Sequence, residues 1–204
     1  MNKNISLLIR SLLILLALVL VSALLLVGNY LAQPRPANAQ KVDMKTQAIK
    51  WSGEGLKIEL QSMPLDLVRA FFLGRGFNRE DADLIAKTGC IFRSAIGHAG
   101  SHTNDPQIVI ELSKWQVTGK ADKHHPRTRQ AWSKIWKTRK VSENARAAFY
   151  WALFPTRQSY QASDYNWGMI SFALPPGSQF DLKLHWLNGN KEHTKMLTGL
   201  ECGK

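Results

Sequence analysis

The sequence predicts an α+β fold, a mostly antiparallel β-sheet or small β-sandwich with helical insertions, preceded by one N-terminal transmembrane helix. Three observations carry this. Alternating apolar and polar residues, the period of a half-buried strand, occur near both ends of the exported part. Helical spacing fills the middle. The regular βαβ alternation of a parallel nucleotide-binding sheet is missing.

The first element is apolar. Leu12 to Val27 holds only Leu, Ile, Val, Ala and Ser22. With Ser11 and Gly28 the uncharged run spans roughly 27 Å as a helix, close to the hydrocarbon thickness of a bilayer. Lys3 and Arg10 precede it, and Arg35 is the first charge after it. The positive-inside rule then gives a cytoplasmic segment 1–10, a membrane anchor 11–30, a tether 31–46 and an exported domain 47–204. The expected location is an inner membrane, crossed once, with the domain in the periplasm. Ala37-Asn38-Ala39 has the small-x-small form of a signal-peptidase site, so a cleaved signal is the competing reading. Either reading exports the domain. The tether contains Pro34 and Pro36 and has no periodicity.

Leu56, Ile58 and Leu60 then alternate with Lys57, Glu59 and Gln61, which predicts a strand. Pro64 and Asp66 suit the first turn of a helix whose apolar face is Leu65, Val68, Phe71 and Phe72, ending at Gly74 and Gly76. Asn78 is a good N-cap for a second helix, with Glu80 and Asp81 in its first turn and Gly89 at its end. Cys90 opens an apolar stretch to Ile96. After a polar loop, 97–106, the stretch from Gln107 to Val117 reads as one strand.

Trp132, Ile135 and Trp136 are spaced i, i+3, i+4, as on one helix face. Ser142 can cap a further helix, Glu143 to Phe154, which Pro155 stops. The last 45 or so residues are β in character. Trp167 to Leu174 is one strand, and Phe180, Leu182, Leu184 and Trp186 mark another. Asn188-Gly189 signals a hairpin leading into a strand from Lys191 toward Cys202.

The segment Asp164-Tyr165-Asn166-Trp167-Gly168-Met169, continuing through Leu174-Pro175-Pro176-Gly177 to Glu201-Cys202, resembles membrane-anchored bacterial periplasmic proteins of unassigned activity. The resemblance covers roughly the last 50 residues and implies an exported, anchored domain. It implies no activity and no site residue.

Net charge is +12 at pH 7, and it is concentrated. Lys114 to Arg146 carries ten basic residues against Asp122 and Glu143. The exported topology makes nucleic acid a poor partner. The block reads either as a solvated face or as a surface for anionic lipid or an acidic protein of a membrane complex. Arg127, Arg129, Trp132, Lys134, Trp136, Lys137, Arg139 and Lys140 are its candidate partner- or lipid-binding residues, since tryptophan interleaved with cations suits a membrane interface. The same tryptophans equally suit a core-facing helix stripe.

Cys90 and Cys202 are the only cysteines, and outside the cytoplasm such a pair is expected to oxidise. It would tie the last strand to the Cys90 strand. His98, His102, His185 and His193 are weak metal candidates, with Met63, Met169 and Met196 as soft ligands for copper. Counted from an Asn188-Gly189 loop, His185 pairs with Glu192 and lies diagonal to His193. No cofactor is expected, and copper is the alternative. No G-x-S-x-G, H-E-x-x-H, P-loop or G-x-G-x-x-G is present, so no catalytic residue is assigned. The leading expectation is a non-enzymatic, anchored accessory protein. The alternatives are a copper-binding assembly factor, or an enzyme with a pocket near Asp164, Tyr165 and Asn166.

Overall fold

The computed structural model describes residues 48–119 and 123–204. The anchor at 11–30 and the tether at 31–46 lie outside the described residues. Among the described residues no helix is long and apolar enough to cross a membrane.

The fold is α+β, with four α-helices among the described residues and predominantly antiparallel strands. The elements run β1 (Ile49–Gly53), β2 (Leu56–Ser62), α1 (Leu65–Leu73), α2 (Arg79–Gly89), β3 (Ile91–His98), β4 (Ile108–Glu111), β5 (Gln116–Thr118) and β6 (Lys123–His124). Then follow α3 (Arg129–Lys137), α4 (Glu143–Ala152), β7 (Arg157–Tyr160), β8 (Tyr165–Ser171), β9 (Gln179–Asn188) and β10 (Lys191–Glu201).

One sheet has the order β1-β2-β3-β8. The other is built on β9, which pairs with β10 on one edge and with β4 and then β5 on the other. β7 and β6 extend that second edge. The single strand expected from Gln107 to Val117 is broken by a 3-10 turn, Leu112–Lys114. The turn re-aims the chain so that Trp115 is fully buried, with its indole N–H donating to the His185 carbonyl at 3.0 Å.

The inward positions of the two sheets interdigitate. Phe92 and Phe172 of the first sheet's layer meet Phe180 of the second, with ring centroids 5.9 and 5.0 Å apart. At the other end Trp51 meets Trp186 edge-on at 5.4 Å. This apolar core includes Leu56, Ile58, Leu60, Ile110, Leu182 and Leu184. Cys90 and Cys202 are disulfide-bonded across the two sheets, closing a sequence separation of 112 residues.

A second core lies between the helices and the outer face of the first sheet, where Ile91 and Met169 supply the sheet's part. Its centre is aromatic. Trp132 and Trp136 stack at 5.2 Å, and Phe149 packs edge-on against both. The helices form where the sequence predicts. Asn78, Thr128 and Ser142 accept backbone N–H bonds as N-caps of α2, α3 and α4. Pro64 caps α1 without a side-chain bond.

Three details depart from the sequence reading. β1 and β7 carry too few alternating residues to be noticed, although Ile49 and Trp51 before Glu54-Gly55 are a hairpin signal. Glu54 and Gly55 both have positive φ, 47° and 80°, the pattern of a type I′ turn. The hairpin between β9 and β10 has Gly189-Asn190 as its loop, because Asn188 pairs with Lys191. Gly189 takes φ 58°, which glycine tolerates at the first loop position. Finally β8 starts at Tyr165 and ends at Ser171, before Ala173 turns to φ 56°.

Candidate functional site

The basic block does not present the surface its pattern suggests. Trp132 and Trp136 are 0% and 1% exposed, so neither indole reaches a lipid or partner surface in this fold. This corrects the interfacial reading, and the reason is geometric. The i, i+4 pair faces the helical core, and the one cation between them, Lys134, is exposed.

Three of the arginines are used internally. Arg127 donates to the Thr88 carbonyl at 3.2 Å, and its guanidinium lies 4.7 Å from the Trp132 ring centroid. Arg129 donates to the Leu153 carbonyl at 2.6 Å. Burial pushes both guanidinium pKa values down. Arg139 pairs with the buried Asp81 and with Glu80, joining the end of α3 to the start of α2. Both carboxylates raise its pKa through hydrogen bonds. Lys134, Lys137 and Lys140 remain exposed.

The metal candidates are scattered. His98 is buried, accepts from the Gly100 N–H at 2.8 Å and reaches the Pro106 carbonyl at 2.9 Å. Both ring nitrogens are therefore occupied. His102 is exposed on the following loop. The two-residue shift of the hairpin pairs His193 with Trp186 and His185 with Thr194, so the two imidazoles lie on opposite faces of the ribbon. His193 stacks on Trp186 at 5.5 Å. Among the described residues no three His, Cys, Asp or Glu side chains come together as a metal site.

A different face gathers unusual residues. Sheet alternation turns Tyr165, Trp167 and Met169 of β8 away from the inter-sheet core, while Ile170 enters it. The antiparallel pairing then sets three rows across the sheet. Ser52, Lys57, Gly97 and Tyr165 form the first. Lys50, Glu59, Ala95 and Trp167 form the second. Gln61, Arg93 and Met169 form the third. The small residues Ala95 and Gly97 leave a low track along β3, with the aromatic rings of β8 on one side. Gly97 has no room for more, since a Cβ there would lie 2.4 Å from the Asp164 carbonyl oxygen.

Helices α1 and α4 wall one end of this track. Leu67 and Phe71 come from α1, Arg75 from the turn that follows it, and Ala148, Trp151 and Ala152 from α4. The result is a groove of about 790 Å³. It adjoins a more open hollow of about 500 Å³ at Glu59 and Ala95. The larger volume lies within the usual range of ligand pockets.

The mouth is aromatic and solvent-exposed. Trp151, Trp167 and Tyr165 are 88%, 79% and 66% exposed, and all three line these two hollows. The lining also carries four cations, Lys50, Lys57, Arg75 and Arg93, against one carboxylate, Glu59. Lys50 pairs with Glu59 at 3.2 Å. Arg93 donates to the neutral Gln61 side chain, and Arg75 to the Phe71 carbonyl at 3.1 Å while lying over the Phe71 ring. Among the described residues no carboxylate is within ion-pair distance of Lys57, Arg75 or Arg93.

Of the three residues at the expected enzyme pocket, only Tyr165 lines this surface, in the open hollow beside the groove. Asp164 holds a turn through Gln161, and Asn166 accepts the Tyr160 hydroxyl at 2.7 Å. Burial raises the Tyr160 pKa, so that hydroxyl stays protonated. The groove was missed in the sequence because Trp151 and Trp167 are far apart along the chain. The legible signal was local: Tyr165 and Trp167 sit on the opposite parity from the core residue Ile170.

The fold and groove thus define an α+β domain of two antiparallel sheets and a helical layer, open on one aromatic, cationic face. Comparison of the chain with family models, with curated proteins and with solved structures finds no match.

Proposed function

We propose that this chain is an exported, inner-membrane-anchored accessory protein that works by binding a partner through the aromatic groove. The apolar run Leu12–Val27 with its flanking charges supports the anchor. The observation that carries the binding role is the convergence of Trp151, Trp167 and Tyr165 on one face. Large exposed apolar patches mark interaction sites, and tryptophan, tyrosine and arginine dominate binding hot spots. Tethering raises the local concentration of the domain at its membrane, so modest affinity suffices for a partner in the same membrane.

The partner is a membrane protein complex rather than nucleic acid. The exposed Lys134 and Lys137 of α3, with Lys140 in the turn after it, are a secondary cationic surface that speeds encounter without supplying the anchor contacts. The test is photocrosslinking in cells of the full chain, with a photoreactive phenylalanine analogue in place of either Trp167 or Lys134. A discrete protein adduct from position 167 that disappears with Trp151→Ala is the expected result. Adducts only from position 134 would move the surface to the basic helix and refute the groove.

A further inference from the structure

Building on that reading, we infer that the groove receives an extended, acidic segment of the partner protein, with an apolar side chain seated between α1 and α4.

Charge complementarity gives the sign. Four cations face the groove and its neighbouring hollow, and the single carboxylate there is already paired with Lys50. Lys57, Arg75 and Arg93 therefore offer their charge to whatever enters. Arginine held only by a neutral amide or a carbonyl gains most from a carboxylate, which matches its donor fork.

The distribution of these cations decides the kind of anion. Arg75 and Arg93 lie at the helical end, and Lys50 and Lys57 at the open end. A single-headed amphiphile needs positive charge at one end only. A chain bearing several carboxylates uses both. The shape also favours a chain over a bilayer surface. Trp167 and Glu59 are two strands apart in one row, so their Cα atoms are about 10 Å apart, with only Ala95 between them. A flat headgroup layer would leave that track empty.

The spacing along the track fits extended backbone. Tyr165 and Trp167 are two residues apart on one strand face, a step of roughly 6.7 Å. A second extended chain lying along β3 repeats its own side chains at the same step. Alternate side chains then meet the two rings, while those between them point outward or toward the β1–β2 lysines. At the closed end Leu67, Phe71, Met169 and Trp151 supply an apolar socket for one large side chain.

The experiment selects a displayed library of random peptides on the full chain held in phosphatidylcholine nanodiscs. The Trp151→Ala/Trp167→Ala chain serves as the counter-selection. Both tryptophans are highly exposed, so the double variant keeps its fold, and an unchanged melting curve verifies this. Expected are peptides enriched in Asp and Glu with at least one aromatic or long aliphatic residue. A representative peptide should lose at least ten-fold in affinity for the double variant, and similarly for Arg93→Glu.

Failure to enrich, enrichment of neutral or basic peptides, or indifference to these substitutions would overturn the inference. So would competition by dodecanoate, or by vesicles with phosphatidylglycerol added, that proved as groove-dependent as the best peptide. Those outcomes assign the groove to an amphiphile or a lipid surface. The crosslinking at position 167 is read separately. A protein adduct there with no acidic peptides selected retires the acidic segment and leaves the protein-binding role standing.

Discussion

Replacing Trp132 by alanine separates a core role from a surface role. The indole is fully buried and touches Trp136, Phe149 and the Arg127 guanidinium at centroid distances of 5.2, 5.1 and 4.7 Å. A buried aromatic side chain covers roughly 200 Å², worth about 5 kcal/mol at 25 cal/mol per Å². Measured Trp→Ala changes in cores cost about 3–5 kcal/mol, because neighbours relax only partly into the cavity. For a domain of this size each kcal/mol moves the melting temperature by about 2–4 °C. Trp132→Ala should therefore lower it by roughly 6–20 °C. Trp151→Ala, on the same helical layer but 88% exposed, should stay within about 0.5 kcal/mol of the parent. Thermal unfolding followed by near-ultraviolet circular dichroism measures both. Equal shifts for the two variants would refute the assignment of α3's tryptophans to the core. So would a Trp132→Ala chain that melts normally but loses lipid binding.

Three further outcomes follow from the same packing. Reducing the Cys90–Cys202 bond should cost about 4–5 kcal/mol, the chain-entropy value for a loop near 110 residues. Urea unfolding with and without a thiol reductant measures it, and coincident transitions would contradict the expectation. Asp83 lies beside Arg69, whose hydrogen bond holds the carboxyl below its ordinary value of 3.8. A carboxyl depressed in the folded state stabilises above its unfolded pKa and loses that contribution as pH falls through the folded one. The stability gap between parent and Arg69→Met should thus be full near neutrality and narrow below about pH 4. A gap that widened on acidification would refute the pairing. Gly97→Ala forces its new methyl against the Asp164 carbonyl and the Tyr165 Cβ, at 2.4 and 2.5 Å. It should destabilise the β3–β8 pairing and shift the Tyr165 fluorescence or amide signal, while Gly119→Ala, which meets nothing within 4 Å, should leave both unchanged.

Much of the architecture was legible because local signals agreed with tertiary need. The Asn78 and Ser142 caps form, and the Phe180–Trp186 alternation forms the central strand of its sheet. The site was less legible. Periodicity showed that Trp132 and Trp136 share a helix face, but a face can meet a core or a membrane with the same spacing. The hairpin register was also ambiguous, since Asn188-Gly189 and Gly189-Asn190 are both acceptable loops. The choice between them moved His193 along the same face from Leu184 to Trp186, where its ring stacks on the indole.

By itself the sequence determined what depends on neighbours along the chain: helix starts and stops, strand alternation, the cysteine pair available for bonding and the concentration of positive charge. Only the tertiary structure decided which faces are covered. The helical layer spans one end of the first sheet's outer face and buries Ile91 and Met169 there, yet leaves Trp167 and Tyr165 uncovered. Burial depends on elements distant in sequence, and so does the meeting of Trp151 with Trp167 across a groove floored by Ala95. No window along the chain contains that information, because side-chain alternation selects a face but not what packs against it.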